Sequence, residues 1–315
     1  MIVSPICELL GIEHPVFQGA MAWISDARLA AAVSNAGGLG IIASGNAPAE
    51  HVHEQVRLAR TLTDRPFGVN IMLMSPHAAA VAEMVAVERV AVVTTGAGNP
   101  AKHLPRWRDA GIKVIPVVPS VGIAKLMQRC GADAVIAEGG ESGGHVGDLT
   151  TMALLPQVCD AVTIPVLAAG GIGDGRGLAA AFMLGACGAQ LGTRFLVATE
   201  CGVHPTYKKK ILAARDIDTI ATGKRLGHPV RSLKTPMSQR FFSLEYDGTI
   251  PNEELEKLGE GALRLAVVEG DQENGCFLAG QIAGMVAKEQ TAAEIVNELV
   301  VEAEALLRGA AKWVI

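Results

Sequence analysis

The residue whose type and setting most invite chemistry is His145, in Glu141-Ser142-Gly143-Gly144-His145-Val146-Gly147. Histidine changes charge near neutral pH and can deliver a proton or polarise a carbonyl. The glycines around it let a ligand approach the backbone closely. Two polar residues interrupt or end apolar runs: Asn70, within Gly68-Val69-Asn70-Ile71-Met72, and Glu138, after residues 134–137. An amide at a strand end either satisfies neighbouring backbone or bonds the edge of a planar ring, and the sequence leaves both open. A carboxylate there needs a partner once buried.

Two glycine-bearing stretches form the second constellation, Ala168-Ala169-Gly170-Gly171-Ile172 and Gln190-Leu191-Gly192-Thr193-Arg194. Amide donors in such loops can face an anion, and Thr193 adds a hydroxyl. The plainer reading is a pair of tight turns needed only for chain reversal. His14, His51, His53, His77 and His103 are read as surface or satisfied histidines.

What must position these residues is a repeating pattern. Short apolar runs occur at 15–18, 39–43, 67–73, 90–94, 113–118, 134–137, 165–168 and 189–192. Each is nearly all apolar rather than alternating, as expected of strands covered on both faces. Helix-like stretches lie between them at 26–35, 49–62, 78–88, 123–130 and 176–184. Eight such units predict an α/β protein of the (β/α)8 TIM barrel class, with an open doubly wound sheet as the competitor. In a barrel the site lies at the C-terminal strand ends, where Gly19, Gly96, Gly98, Gly139, Gly140, Gly143, Gly144, Gly170, Gly171 and Gly192 all fall. Beyond Phe195 the regular repeat stops. Residues 1–200 and 276–315 are assigned to the barrel and 201–275 to a smaller cap or lid, with a last helical stretch at 283–307.

Composition narrows the function. The 315 residues are 50% hydrophobic and 19% charged, enough to bury a large core. Aromatics at 4% and a net charge of -5 argue against nucleic acid, which calls for stacking platforms and a basic surplus. The charge-free run 29–49 is broken by glycines and Pro48, so no membrane span is expected. The six cysteines form no CxxC pair, and the N-terminus lacks a secretory pattern; a reduced, cytoplasmic protein is expected. GxGxxG after the first strand, the P-loop and HExxH are all missing. Lys208, Lys209, Lys210, Lys224, Arg225, Arg231 and Lys234 gather in the lid, either as a solvated face or as a dock for an acidic carrier or nucleotide phosphates.

Taken together, Gln18-Gly19-Ala20-Met21-Ala22-Trp23, Asn35-Ala36-Gly37-Gly38-Leu39-Gly40, Gly68-Val69-Asn70, Thr95-Gly96-Ala97-Gly98, Ala137-Glu138-Gly139, Gly143-Gly144-His145, Ala169-Gly170-Gly171-Ile172 and Gly192-Thr193-Arg194-Phe195 resemble the nitronate monooxygenase-like FMN barrels. Gly227-His228-Pro229-Val230-Arg231 and Ala279-Gly280-Gln281-Ile282-Ala283-Gly284 extend the likeness to almost the whole chain. Within that superfamily the chain looks most like the flavin-dependent type II enoyl-acyl carrier protein reductases of bacterial fatty acid synthesis. The resemblance implies FMN across the barrel mouth, with Gly19, Ala20 and Met21 against the flavin. Asn70 would bond its ring, with Glu138 nearby. Gly143 and Gly144 would line the cofactor; Gly170, Gly171, Ile172, Gly192 and Thr193 would serve the phosphate side. Ala20 stands where glycine is expected in many reductases. His145 takes the place of the family's active-site histidine.

The resemblance further implies a ping-pong cycle from NADH or NADPH through FMN to Cβ of an enoyl-acyl carrier protein or enoyl-CoA thioester. A homodimer and a response to a monovalent cation go with it. A nitronate monooxygenase using FMN and O₂ is the first alternative, and a catalytically silent flavin-binding barrel the second.

Overall fold

The computed structural model describes residues 2–313. Its main sheet contains β1 (Val16–Gln18), β2 (Gly40–Ala43), β3 (Phe67–Met72), β4 (Val92–Gly96), β5 (Lys113–Val118), β6 (Val135–Glu138), β8 (Val166–Ala169) and β9 (Gly188–Leu191). These eight strands are parallel and lie in the order β1-β9-β8-β6-β5-β4-β3-β2. The two ends of that order meet. Phe17 bridges Leu39 in parallel, Leu39 N–H donates to Val16 O (2.9 Å), and Gln18 N–H donates to Leu39 O (2.9 Å). The ring is closed, and the open-sheet alternative is excluded. All eight expected runs coincide with these strands to within two residues at either end.

A further short strand that the apolar pattern does not announce, β7 (Gly144–His145), leaves the barrel and pairs antiparallel with β11 (Val230–Leu233). β11 in turn pairs with β10 (Thr219–Thr222).

Alternation sorts the barrel side chains. Phe17, Ile41, Val92, Ile115, Ile136 and Leu167, one from each of six strands, pack together inside the ring. Their neighbours Val16, Val69, Val93, Val135, Ala168 and Ala189 pack outward under the helices. Ile6 and Leu10 of helix Pro5–Leu10 join the inner cluster beside Ala134 and Cys187, which precede their strands, so this helix plugs the N-terminal end. At the opposite end Asn70, Val117, Glu138 and Gln190 keep partial exposure.

Local chemistry sets the helix boundaries. Asp26, Ser120 and Asp174 each accept from first-turn amides of the helix that follows, and Gly131 ends helix Val121–Cys130 in the left-handed conformation (φ 93°). The last helix begins later than the sequence suggests, at Ala292 rather than 283. Thr291 and Glu294 form a reciprocal capping box there, while Gln281–Met285 makes only a 3-10 turn.

Residues 201–275 are not one detached unit. Tyr207 and Ile211 of helix Pro205–Leu212 are fully buried in the main core, whereas Met237, Phe241, Leu255 and Ala262 form a small cluster of their own. The seven basic residues of this region do not share one free face either. Lys208 donates to Ala198 O and pairs with Glu289 (both 2.7 Å), Lys210 lies over the Phe277 ring, and Arg225 and Arg231 bond backbone carbonyls.

No described helix is long and apolar enough to cross a membrane. The six cysteines are free, and burial pushes the thiols of Cys7, Cys159, Cys201 and Cys276 up to about 11 and that of Cys187 to about 12. Thiols so held are not nucleophiles near neutral pH.

Candidate active site

One layer above the inner apolar ring, the same alternation turns Gly19, Ala43, Asn70, Thr94, Val117, Glu138, Ala169 and Gln190 toward the barrel mouth. Four of these eight are polar, in a barrel whose lower layer is wholly apolar. Asn70 donates from Nδ2 to Thr94 Oγ1 (3.0 Å), which fixes the amide and leaves its carbonyl oxygen free. Gln190 lies against Gly19: a β-carbon at Gly19 would come within 3.0 Å of Gln190 Cγ. A side chain at position 19 would therefore press on Gln190 and require it to give by a few tenths of an ångström. Gln190 and Thr94 are not among the residues singled out from the sequence, although Gln190 breaks an apolar strand just as Asn70 does.

The loop after β1 is held by Gln18. Its Nε2 donates to Gly19 O (2.5 Å) and Ser25 Oγ (2.8 Å), and its Oε1 accepts from Ile41 N–H (3.1 Å). Ser25 Oγ then accepts from Met21 N–H (2.9 Å), so Gly19, Ala20 and Met21 are set as one rigid turn at the mouth. Trp23 leaves this turn at φ +66° with its ring exposed.

The loops after β6, β8 and β9 meet in a knot. Ala169 is in register with both Glu138 and Gln190, so Gly139–His145, Gly170–Gly171 and Gly192–Thr193 leave side by side. Gly170 and Gly171 both sit in the left-handed region (φ 86° and 73°), and a β-carbon at Gly170 would lie 2.7 Å from Gly139 O. One at Gly143 would lie 2.7 Å from both Ala279 C and Gly280 N. Gly280 N–H donates to Thr193 Oγ1 (2.8 Å) and Gln281 N–H to Glu141 O (2.9 Å), so the strap 279–281 binds two of the three loops together. Glu141 accepts from the amide of Thr151 (2.9 and 3.0 Å) and caps helix Thr151–Ala161, a task its own N-cap Thr150 leaves undone.

Within this knot several donors are idle. The amides of Gly171, Gly192 and Thr193 make no hydrogen bond among the described residues, and Thr193 keeps its hydroxyl hydrogen while its oxygen accepts from Gly280. The Ser142 hydroxyl is buried and makes no hydrogen bond of normal length among the described residues, although it lies near enough to the Glu138 carboxyl to favour its charged form. Ile172, by contrast, is buried in the core under helix Gly175–Met183, so its side chain supports the loop rather than facing the mouth. Idle donors at a rim, in loops that add no side-chain bulk, fit an anionic, planar-ringed cofactor.

Glu138 stands at the end of β6, and burial pushes its carboxyl up to about 7, against a smaller opposing pull from Ser142. The group keeps partial access to water while being enclosed by protein atoms, as befits the wall of a cleft. His145 combines the same two properties. It is exposed, yet desolvation first and the neighbouring His228 second hold its imidazole below the usual histidine range. His145 is therefore not on a floppy glycine loop. Val230 pairs with it in the β7–β11 ladder, and Arg231 donates twice to Gly140 O (3.0 and 3.1 Å) to tie the same arm to the rim.

The sequence matches the nitronate monooxygenase family model over residues 3–86 and 79–302. The chain is similar over its whole length to the structure of FabK from Thermotoga maritima, with 46% identity, full coverage of both chains and a TM-score of 0.97. It is 34% identical to (3aS,4S,5R,7aS)-5-hydroxy-7a-methyl-1-oxo-octahydro-1H-indene-4-carboxyl-CoA dehydrogenase of Mycobacterium tuberculosis, over 95% of this chain and 96% of that one. A nitroalkane oxidase structure from Streptomyces ansochromogenes matches at 31% identity, covering 97% of this chain and 99% of the other, with a TM-score of 0.85.

Proposed function

The chain belongs to the nitronate monooxygenase family, and on that premise we propose that this FMN-dependent oxidoreductase is a trans-2-enoyl-acyl carrier protein reductase of the type II, flavin-using kind. The observation that carries the reading is the knot at the barrel mouth: idle amides at Gly171, Gly192 and Thr193 beside a histidine whose proton affinity its surroundings lower. The full-length likeness to FabK supports it over the rest of the family. Gly170, Gly171, Gly192 and Thr193 hold the phosphate, with amides aimed at the anion. Asn70 and Gln190 meet the flavin ring, and Gly19, Ala20, Met21, Gly143 and Gly144 give it room. When bound, FMN supplies hydride transfer, taking two electrons from NADH or NADPH and passing them to Cβ of the enoyl thioester.

His145 handles the proton. Negative charge gathers on the thioester oxygen as Cβ is reduced, and a donor set in place beforehand stabilises that charge without reorganising. The imidazolium then gives its proton to Cα. Its lowered proton affinity makes it a better acid once charged. Glu138, largely neutral below pH 7, avoids placing a full negative charge in the cofactor wall. The protein works in the cytoplasm as a homodimer that responds to a monovalent cation, with 201–275 acting as its lid.

A second reading, oxidation of alkyl nitronates by O₂, is favoured by the family model and the nitroalkane oxidase match. Anaerobic stopped-flow absorbance decides between them. The reductase bleaches the yellow holoprotein with NADH or NADPH and recovers the colour on adding crotonyl-CoA. A protein that regains colour only with air, and turns over nitronate but not enoyl thioester, overturns the proposal.

A further inference from the structure

His145 has a neighbour that the mechanism above does not use. In the β7–β11 ladder His145 pairs with Val230 and Gly144 with Arg231, and Val146 N–H donates to Pro229 O (3.0 Å). Continuing that register sets Gly147 opposite His228. His228 and Val230 share a face of the ladder, and His145 shares it with Val230, so the two histidines are diagonal neighbours on one face. Gly147 has no side chain to stand between them. His228 is exposed, and the turn that carries it is braced: Gly223 O accepts from Leu226 and His228 N–H (3.2 Å each), while Glu245 accepts from Gly223 and Arg225 N–H (3.0 and 2.7 Å).

The other charged groups around His145 are occupied or turned away. Arg231 is on the opposite face and bonds Gly140 O, Glu141 is committed to Thr151, and Glu138 is on the barrel wall beside Ser142. Asp148 is three residues further along and Lys224 at the far end of the braced turn. His228 alone among them acts on His145 through its charge.

We propose that His228 is a positioning residue for the reaction: across the β7–β11 pair its charge governs the pH range over which His145 holds its proton. The inference rests on reading His145 as the proton-handling group. Like charges on one face oppose each other, so a protonated His228 makes His145 release its proton more readily. It also ties the pH response to the 201–275 region, because His228 is carried by the turn between β10 and β11.

The test is histidine-ring NMR titration of the holoprotein, with the His145 signal identified by its loss in His145→Gln. His228→Gln removes the opposing charge and should raise the proton affinity of His145 about three-fold, the size of a unit-charge repulsion over a diagonal pair near water. The alkaline limb of turnover should move to higher pH by the same amount, since His145 then stays protonated longer. His228→Lys restores a positive charge and should restore the wild-type midpoint. A His145 midpoint that is identical in wild type, His228→Gln and His228→Lys overturns the inference, whatever the substrate. Absence of enoyl turnover in a protein whose midpoint does move would instead defeat the reductase reading and leave this one standing.

Discussion

The barrel rim and the β7–β10–β11 arm do different work and are built differently. The rim at Gly170–Gly171 and Gly192–Thr193 is made of backbone, ends strands that are adjacent in the ring, and needs only glycine and a closed barrel to present amides. The arm presents a side chain, His145, on a two-residue strand that exists only because β11, some eighty-five residues later in the chain, pairs with it. The proposed binding cradle thus comes from short-range connections on a rigid scaffold, while the group proposed to handle the proton is placed by a long-range pairing. Gly143 lies where the two meet.

The largest effect should come from severing that junction. Gly143→Val drives side-chain atoms into the Ala279–Gly280 backbone, which already lies 2.7 Å from an ideal β-carbon, so the strap must move. Purified Gly143→Val protein should lose bound flavin, read as the flavin-to-protein absorbance ratio. Retention of wild-type flavin would show that rim and arm do not share this joint.

Next in size, His145→Ala should spare the rim and disable the arm. Flavin content stays near wild type while kcat with crotonyl thioesters falls about 10²- to 10⁴-fold, the range for loss of a positioned acid. Parallel losses of flavin and rate would mean that the two regions are not separable.

The smallest effect concerns Glu138, in the wall between them. Its folded-state carboxyl holds a proton up to about 7, above the ordinary 4.5. The stability this lends is complete below about pH 4.5 and is lost as pH rises through 7. Flavin-free protein should therefore lose up to about 3 kcal/mol between pH 5 and 8, and less in practice because the carboxyl keeps some water. Glu138→Gln should flatten that part of the Tm-versus-pH curve. An unchanged slope would place the carboxyl in better solvent than the burial implies.

Much of the rim is legible in the sequence because its causes are local. Apolar runs of strand length mark the staves, and a glycine just past each run marks the loop; Asn70 stands out as an amide inside such a run. Gln190 carries the same signal, masked by the more conspicuous Gly192-Thr193 just beyond it. The arm is legible only in part. His145 draws notice for its glycines, but its strand is too short for any alternation to show. His228 appears only as part of a turn. The apolar pattern starts the last helix too early, at 283, because apolar residues continue through the 3-10 turn; the reciprocal cap of Thr291 and Glu294 fixes its true start.

By itself, the sequence determined the eight strand–helix units, the end at which the proposed site lies and the glycines there, because burial and glycine geometry act over a few neighbouring residues; it left an open sheet standing beside the closed ring. The tertiary structure decided that the ring closes, which donors stay idle, how the strap 279–281 locks two loops, and that β11 pairs with the strand carrying His145. Those depend on segments brought together from distant parts of the chain, and pairing between such segments leaves no periodic trace in either one.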